Sequence, residues 1–245
     1  MIIKGNYHIH TEKWSDGEST LEEIIQKAID AELNEIGITD HYYTKKGVPK
    51  YVDDTGIDEY LQEIEEWNRK SKNIRILAGL EIDTRPDKNL KITSLPFDKL
   101  NRLDYVLFEY VENGGYSLPK LIELRKNLTC EVGLAHPNIK KNFSHYKPEE
   151  LARMLKENNI FLDACCATGR NVTYEKYDGR YSKPYFCGLG EEFKAAFKKF
   201  RVKFAPSTDY HYRDDPLKTD MAYEKIGEYG FSQKHFKKKH APQRV

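Results

Sequence analysis

The chain has 245 residues, 39% of them hydrophobic and 32% charged, with a formal net charge of +1. That length suits one α/β barrel, that apolar fraction fills one sizeable core rather than two, and near-neutral charge excludes a global field drawing the chain to nucleic acid or membranes. No apolar run approaches the roughly 20 residues of a bilayer span, and the opening Met-Ile-Ile-Lys-Gly-Asn lacks the order of a signal peptide, so a cytoplasmic protein is expected.

Tyr7–Thr11 alternates like a strand. Ser19 to Glu23 holds overlapping S-x-x-E and T-x-x-E capping boxes, and Leu21, Ile24, Ile25 and Ala28 then form one helical stripe. A strand follows at Glu35–Thr39, and a helix is marked by Tyr60, Leu61, Ile64 and Trp67. Ile74–Ile82 and Tyr105–Val111 read as strands, Leu118–Leu128 as a helix and Cys130–Ala135 as a strand. Pro148 opens a helix striped by Leu151, Met154 and Leu155, and Ile160–Cys166 is a strand. Thr173–Cys187, rich in Tyr, Lys and Arg, reads as a loop over the mouth of the fold that selects substrate. Phe193, Ala196, Phe197 and Phe200 mark a helix, Val202–Ser207 a strand, and Lys218–Tyr229 a last helix ended by Gly230. From about residue 231 a basic segment, with His235 and His240, reads as a solvated tail.

Strand alternating with helix throughout implies parallel strands with helical crossovers. The whole of 1–245 is therefore expected to form one domain, a distorted seven-stranded TIM-like β/α barrel, with an open doubly wound sheet as the alternative. None of Cys130, Cys165, Cys166 and Cys187 stands in a C-x-x-C zinc spacing, and all are expected to be reduced thiols.

The chemistry-bearing residues fall at predicted strand ends. His8 and His10 end the first strand, Asp40 and His41 the second, Glu81 and Asp83 the third, Glu109 the fourth and His136 the fifth. Asp163 lies within the sixth, and Asp209 and His211 end the seventh. In barrels these ends converge on one face, and residues two apart on a strand point the same way. Imidazoles and carboxylates together suit zinc, manganese or iron, and a cluster this large exceeds the needs of one four-coordinate ion. Two or three ions would polarise a phosphoryl oxygen, acidify a water, and clamp attacking and leaving oxygens.

The motifs Y-H-I-H-T, S-D-G, T-D-H, G-L-E, A-H-P and S-T-D-Y-H, in this order, resemble those of the polymerase and histidinol phosphatase (PHP) family, from His8 to about Gly230. The resemblance implies a distorted seven-stranded barrel with three metal positions. His8, His10, Glu81 and Asp209 would form one. Glu81 would bridge to a second with His136, and Asp16, His41 and His211 would form the third. The family usually places a histidine at the end of the fourth strand, where this chain reads D-Y-V-L-F-E-Y-V-E-N. Glu109 is the candidate replacement, with Glu112 behind it, and a carboxylate there would favour manganese or iron. The run D-A-C-C-A-T-G-R resembles E-I-N-x-x-x-x-R of the histidinol-phosphatase branch. It implies a phosphate clamp at Arg170, with Arg180, Lys183 and Arg213 as further substrate-binding candidates.

The function this implies is metal-dependent hydrolysis of a small phosphomonoester, with Asp209, His211 and Arg170 as catalytic candidates. Histidinol phosphate is the first substrate to test, and nucleotide and sugar phosphates are open. Three alternatives stand beside it. One is a nuclease or RNA-processing role, against which the near-neutral charge and the lack of an aromatic-plus-basic stripe argue. The others are a metal-binding domain without catalysis and an amidohydrolase.

Overall fold

A computed structural model describes residues 3–43, 51–86, 95–166, 174–177 and 181–237. Eleven strands are β1 Gly5–Ile9, β2 Glu35–Ile38, β3 His41–Tyr42, β4 Arg75–Asp83, β5 Tyr105–Glu109, β6 Glu131–Leu134, β7 Ile160–Cys165, β8 Tyr174–Tyr177, β9 Tyr181–Pro184, β10 Lys203–Ser207 and β11 Ser232–Gln233. The helices are α1 Leu21–Asp30, α2 Ile57–Lys70, α3 Phe97–Leu100, α4 Leu118–Arg125, α5 Ile139–Asn142, α6 Pro148–Glu157, α7 Glu191–Phe200 and α8 Asp220–Tyr229. No helix among the described residues is long and apolar enough to cross a membrane.

A parallel sheet curls in the order β1-β2-β4-β5-β6-β7-β10-β11, the TIM-like α/β barrel expected, but with eight strands along its path rather than seven. The extra stave is β11, laid beside the start of β10. Farther along, the chain beyond β10 reaches β1 directly: Tyr210 bridges Ile9, His10 N donates to Tyr210 O at 2.9 Å, and Tyr210 N to His8 O at 3.1 Å. β2 and β3 are one strand in register, since Glu35 pairs Arg75 and His41 pairs Glu81 at a constant offset of 40. The break between them falls at Thr39–Asp40, where Asp40 turns to accept from Thr11 N at 2.6 Å and Thr11 Oγ1 at 2.9 Å.

Local signals explain the helices. Thr20 caps α1 through Glu23 N at 3.1 Å while Glu23 Oε2 accepts from Thr20 N at 2.9 Å, so the second of the two overlapping boxes is the one used. Pro148 opens α6, and Gly230, at φ 65°, ends α8 in the left-handed conformation. The lower barrel interior is an aromatic layer of Tyr7, Tyr105, Phe161 and Phe236. Glycines opposite make room: a Cβ at Gly37 would collide with the Tyr105 hydroxyl, and one at Gly133 with the Phe161 ring.

Two expectations are corrected here. The segment from 231 is not a solvated tail in its first part. Phe231, Lys234 and Phe236 are buried, Lys234 pairs with Glu131 at 2.7 Å, and Arg75 donates to Phe236 O at 2.8 Å. Residues 238–245, with His240, lie outside the described residues. The loop expected at 173–187 contains an antiparallel hairpin, β8 with β9, followed by a 3-10 turn at Tyr185–Gly188. Arg170 and Arg180, and the side chain of Lys183, lie outside the described residues.

Candidate metal centre

The strand ends bring eight of the nine expected ligands into one network around Glu81, with Asp16 joining through His41 and His211. Glu81 Oε2 lies 3.3 Å from His8 Nε2, 3.4 Å from His10 Nε2 and 3.2 Å from His41 Nδ1, and Glu81 Oε1 lies 3.2 Å from His136 Nε2. Asp209 Oδ1 is 3.3 Å from His8 Nε2, 3.5 Å from His10 Nε2 and 3.5 Å from His211 Nδ1. Asp16 Oδ1 is 3.2 Å from His211 Nε2 and 3.6 Å from His41 Nε2. Glu109 Oε1 stands 3.8 Å from His136 Nε2.

Four sets of these side chains converge closely enough to hold an ion: His8, His10 and Asp209; His8, Glu81 and His136; His41, Glu81 and Glu109; and His10, Asp16, His41 and His211. The grouping differs in detail from the expected one. His10 also reaches the Asp16 set, and Glu109 shares a set with His41 and Glu81. Glu112 stays out, accepting from Leu118 N at 2.6 Å and Tyr146 Oη at 2.7 Å.

Several converging atoms are buried with no hydrogen-bond partner among the described residues: His8 Nε2, His10 Nε2, His41 Nδ1 and Glu81 Oε1. Orphaned polar atoms at this depth are costly unless something else binds them, and their donor set fits divalent metal ions. Charge crowding agrees. Burial alone would raise the Glu81 carboxyl, yet the surrounding imidazoles, His8 foremost, hold it well below the carboxylate range. Burial and Glu81 push Glu109 up to about 8. Burial and the neighbouring His211 drive His10 down to about 3. Burial would lower His136 and His211, but their carboxylate neighbours raise each to about 9.

Backbone strain marks the same place. Asp209 sits at φ 51° and His136 at φ 25°, a region non-glycine residues avoid unless their surroundings hold them. The Tyr210 seam to β1 holds Asp209. Asp163 holds His136, whose N–H donates to Asp163 Oδ2 at 3.0 Å.

Asp163 is the residue that the sequence placed in the sixth strand but gave no role. The same Oδ2 faces His8 Nδ1 at 2.9 Å, and Ser207 Oγ donates to Oδ1. A carboxylate only accepts, so His8 carries a proton on Nδ1, and in the neutral ring a metal requires, the Nε2 lone pair is the one left to bind beside Glu81 and Asp209. Ser15 stands in the same relation to His10, with its Oγ 3.2 Å from Nδ1. The available signal for Asp163 was an acidic residue inside an otherwise apolar strand.

A cavity of about 490 Å³ opens beside the cluster. Its walls include Asp16, His41, Glu81, Glu109, His136, Asp209 and His211, and also Tyr43, Arg85, Tyr110 and Lys141. Arg213 does not line it. Its guanidinium is held on the outside by Glu18 O at 3.2 Å and Glu23 Oε2 at 3.3 Å, which corrects its expected place among substrate-binding groups.

The family model for the PHP domain matches residues 6–203. The chain is 32% identical over 140 residues to the DNA polymerase/3'-5' exonuclease PolX of Bacillus subtilis, a match spanning 55% of this chain but only 23% of that one. It is 24% identical over 230 residues to the uncharacterized protein MJ1295 of Methanocaldococcus jannaschii, spanning 92% and 88% of the two chains. Its fold resembles the Lactococcus lactis histidinol phosphate phosphatase solved with zinc, L-histidinol and phosphate, at a TM-score of 0.61, 18% identity, and 96% and 99% coverage. It also resembles metal-dependent tyrosine phosphatases of Bacillus subtilis and Streptococcus pneumoniae, at a TM-score of 0.55, 16% identity, and 94% and 88% coverage.

Proposed function

Because the chain belongs to the PHP domain family, we propose that it is a metal-dependent phosphoesterase that hydrolyses a small phosphomonoester. The observation that carries this reading is the convergence of His8 Nε2, His10 Nε2, His41 Nδ1 and Glu81 Oε1, buried and without hydrogen-bond partners among the described residues, beside an open cavity that His41 and Glu81 line. Two or three divalent ions, of zinc, manganese or iron, would supply Lewis acidity and an activated water at this site.

The residues would divide the work as follows. Glu81, with imidazoles at both oxygens, would bridge neighbouring ions. Asp163 orients His8, and Ser15 orients His10. Asp209 and His211, at the cavity wall, would serve as ligands, and of the two His211 is the better candidate to pass a proton to the leaving oxygen, since its neighbouring carboxylates raise it to about 9. Arg170 remains the proposed phosphate clamp, and Arg180 and Lys183 are further proposed substrate-binding groups. The substrate is small and phosphorylated, and histidinol phosphate is the first candidate because the D-A-C-C-A-T-G-R segment resembles that branch.

The test is hydrolysis of histidinol phosphate, p-nitrophenyl phosphate and a labelled oligonucleotide by purified protein, with and without chelator. Chelator-sensitive release of phosphate from the monoesters is expected. Cleavage of the oligonucleotide alone would replace the reading with nucleic-acid processing, as the relation to PolX allows.

A further inference from the structure

The cavity is larger than a phosphoryl group requires, and its far side is built differently from its metal side. It also carries two cations, Arg85 just after β4 and Lys141 on α5, the helix that follows β6. Arg85 is anchored. Its Nε lies 3.1 and 3.0 Å from the two Asp83 oxygens, its Nη2 lies 2.6 Å from Oδ2, and its guanidinium stacks 3.6 Å from the centroid of Tyr110. Asp83 itself is buried, so the fork and the stack fix the guanidinium at the cavity wall before any ligand arrives. Lys141 is different. It is exposed on α5, and its ammonium has no ion-pair or hydrogen-bond partner among the described residues. The cavity-lining amides of Asn113 and Asn142 add polar groups nearby. Asp83 already balances the charge of Arg85, so Lys141 brings the further positive charge to this part of the cavity.

We propose that Arg85 and Lys141 form a second anion-binding corner, and that the site therefore favours, over histidinol phosphate with its amine and imidazole, a phosphomonoester that carries a second anionic group, a carboxylate or a phosphate, on the leaving-group side. This rests on the phosphoesterase reading for which phosphate is cleaved, but the corner can be tested without turnover. The guanidinium nitrogen that Asp83 leaves unengaged can donate to an anion, and the Lys141 ammonium can close on the same group. Neutral alcohol phosphates would leave the Lys141 ammonium without an anionic partner.

The experiment compares two non-hydrolysable ligands by calorimetric titration of the manganese-loaded protein. Propylphosphonate and 3-phosphonopropionate differ by a methyl against a carboxylate. The carboxylate compound is expected to bind at least about tenfold tighter, which is about 1.4 kcal/mol. In Lys141→Met that gap should shrink to threefold or less. Arg85→Gln should do the same if circular dichroism shows it folded, and Lys141→Met decides alone if it is not, because Lys141 is on the surface. Equal affinity in the unmodified protein, or an undiminished gap in Lys141→Met, overturns the proposal. Turnover of glycerol 3-phosphate and 3-phosphoglycerate is measured alongside. An intact binding gap with no turnover of these two esters, of histidinol phosphate or of p-nitrophenyl phosphate sinks the phosphatase reading and leaves the anion corner standing.

Discussion

Replacing Asp163 by asparagine tests whether the cluster is held in shape by this one carboxylate. The asparagine amide oxygen can take the place of Oδ2 and still accept from His8 Nδ1 and His136 N, now at 2.9 and 3.0 Å, while its amide nitrogen donates to Ser207 Oγ. Geometry is therefore kept and charge removed. Each of the two bonds falls from charged to neutral strength, a loss of about 1 kcal/mol apiece, or roughly 2 kcal/mol of stability. The His8 ring also becomes a poorer ligand, and loss of such an orienting partner lowers metal affinity by about 10–100-fold. Chelator-competition titration with zinc or manganese measures the second effect, and thermal unfolding of the chelated protein the first. Asp163→Ala should be worse on both counts, since it leaves two N–H groups and a hydroxyl buried without an acceptor. A folded Asp163→Asn protein with metal affinity within twofold of the parent would refute the assignment and make Asp163 a mere packing partner.

Other outcomes follow from the same geometry. Glu81→Ala should remove at least one ion per chain and nearly all activity, read by elemental analysis, and full metal content would show the bridge to be misassigned. Glu109→His should keep the fold and shift relative affinity toward zinc over manganese, since imidazole is the softer ligand; unchanged preference in competition titrations would place Glu109 outside the ligand set. Phe236→Ala should cost about 3–5 kcal/mol in denaturant unfolding, because the ring fills the lower barrel against Tyr7, Tyr105 and Phe161. The pH dependence has a defined sign. His136 and His211 titrate near 9 in the folded chain against about 6.5 unfolded, so their stabilising contribution is complete below about 6.5 and is lost as pH rises toward 9. Metal affinity should climb over the same window, as protons leave the ligands. Unfolding of chelated protein that is flat from pH 6.5 to 9 would contradict this.

The staves of the barrel and the ligands at their tips were legible because both obey short-range rules. Hydrophobic runs bounded by turn residues located β4, β5, β7 and β10 to within a residue or two at most of their bounds, and histidines two apart on β1 had to share a face. Long-range facts were hidden. Lys234-His235-Phe236-Lys237 reads as a solvated charge run, and nothing local announces that Phe236 enters the barrel while Lys234 finds Glu131. β11 was missed for the same reason, since two residues make a strand only beside β10. Asp163 was seen as an acid in an apolar strand, but its partners His8 and Ser207 lie 155 and 44 residues away. Arg85 escaped notice because its place depends on Tyr110 across a strand boundary.

The seam between Tyr210 and β1 joins two ends of the chain that are some 200 residues apart: Asn6 Nδ2, for example, donates to Thr208 Oγ1 at 2.7 Å across 202 residues. An ion shared by His8, His10 and Asp209 would act on this seam as a removable cross-link. It would close a loop almost as long as the domain, the case in which a tether takes most freedom from the unfolded chain. Added stability would then grow as RT ln(1 + [M]/Kd), about 2.7 kcal/mol at a hundredfold excess over Kd. Contacts this distant in sequence also form late and slowly. Ion availability would therefore govern how long a newly made chain stays open along this line, and not only how fast the finished protein works.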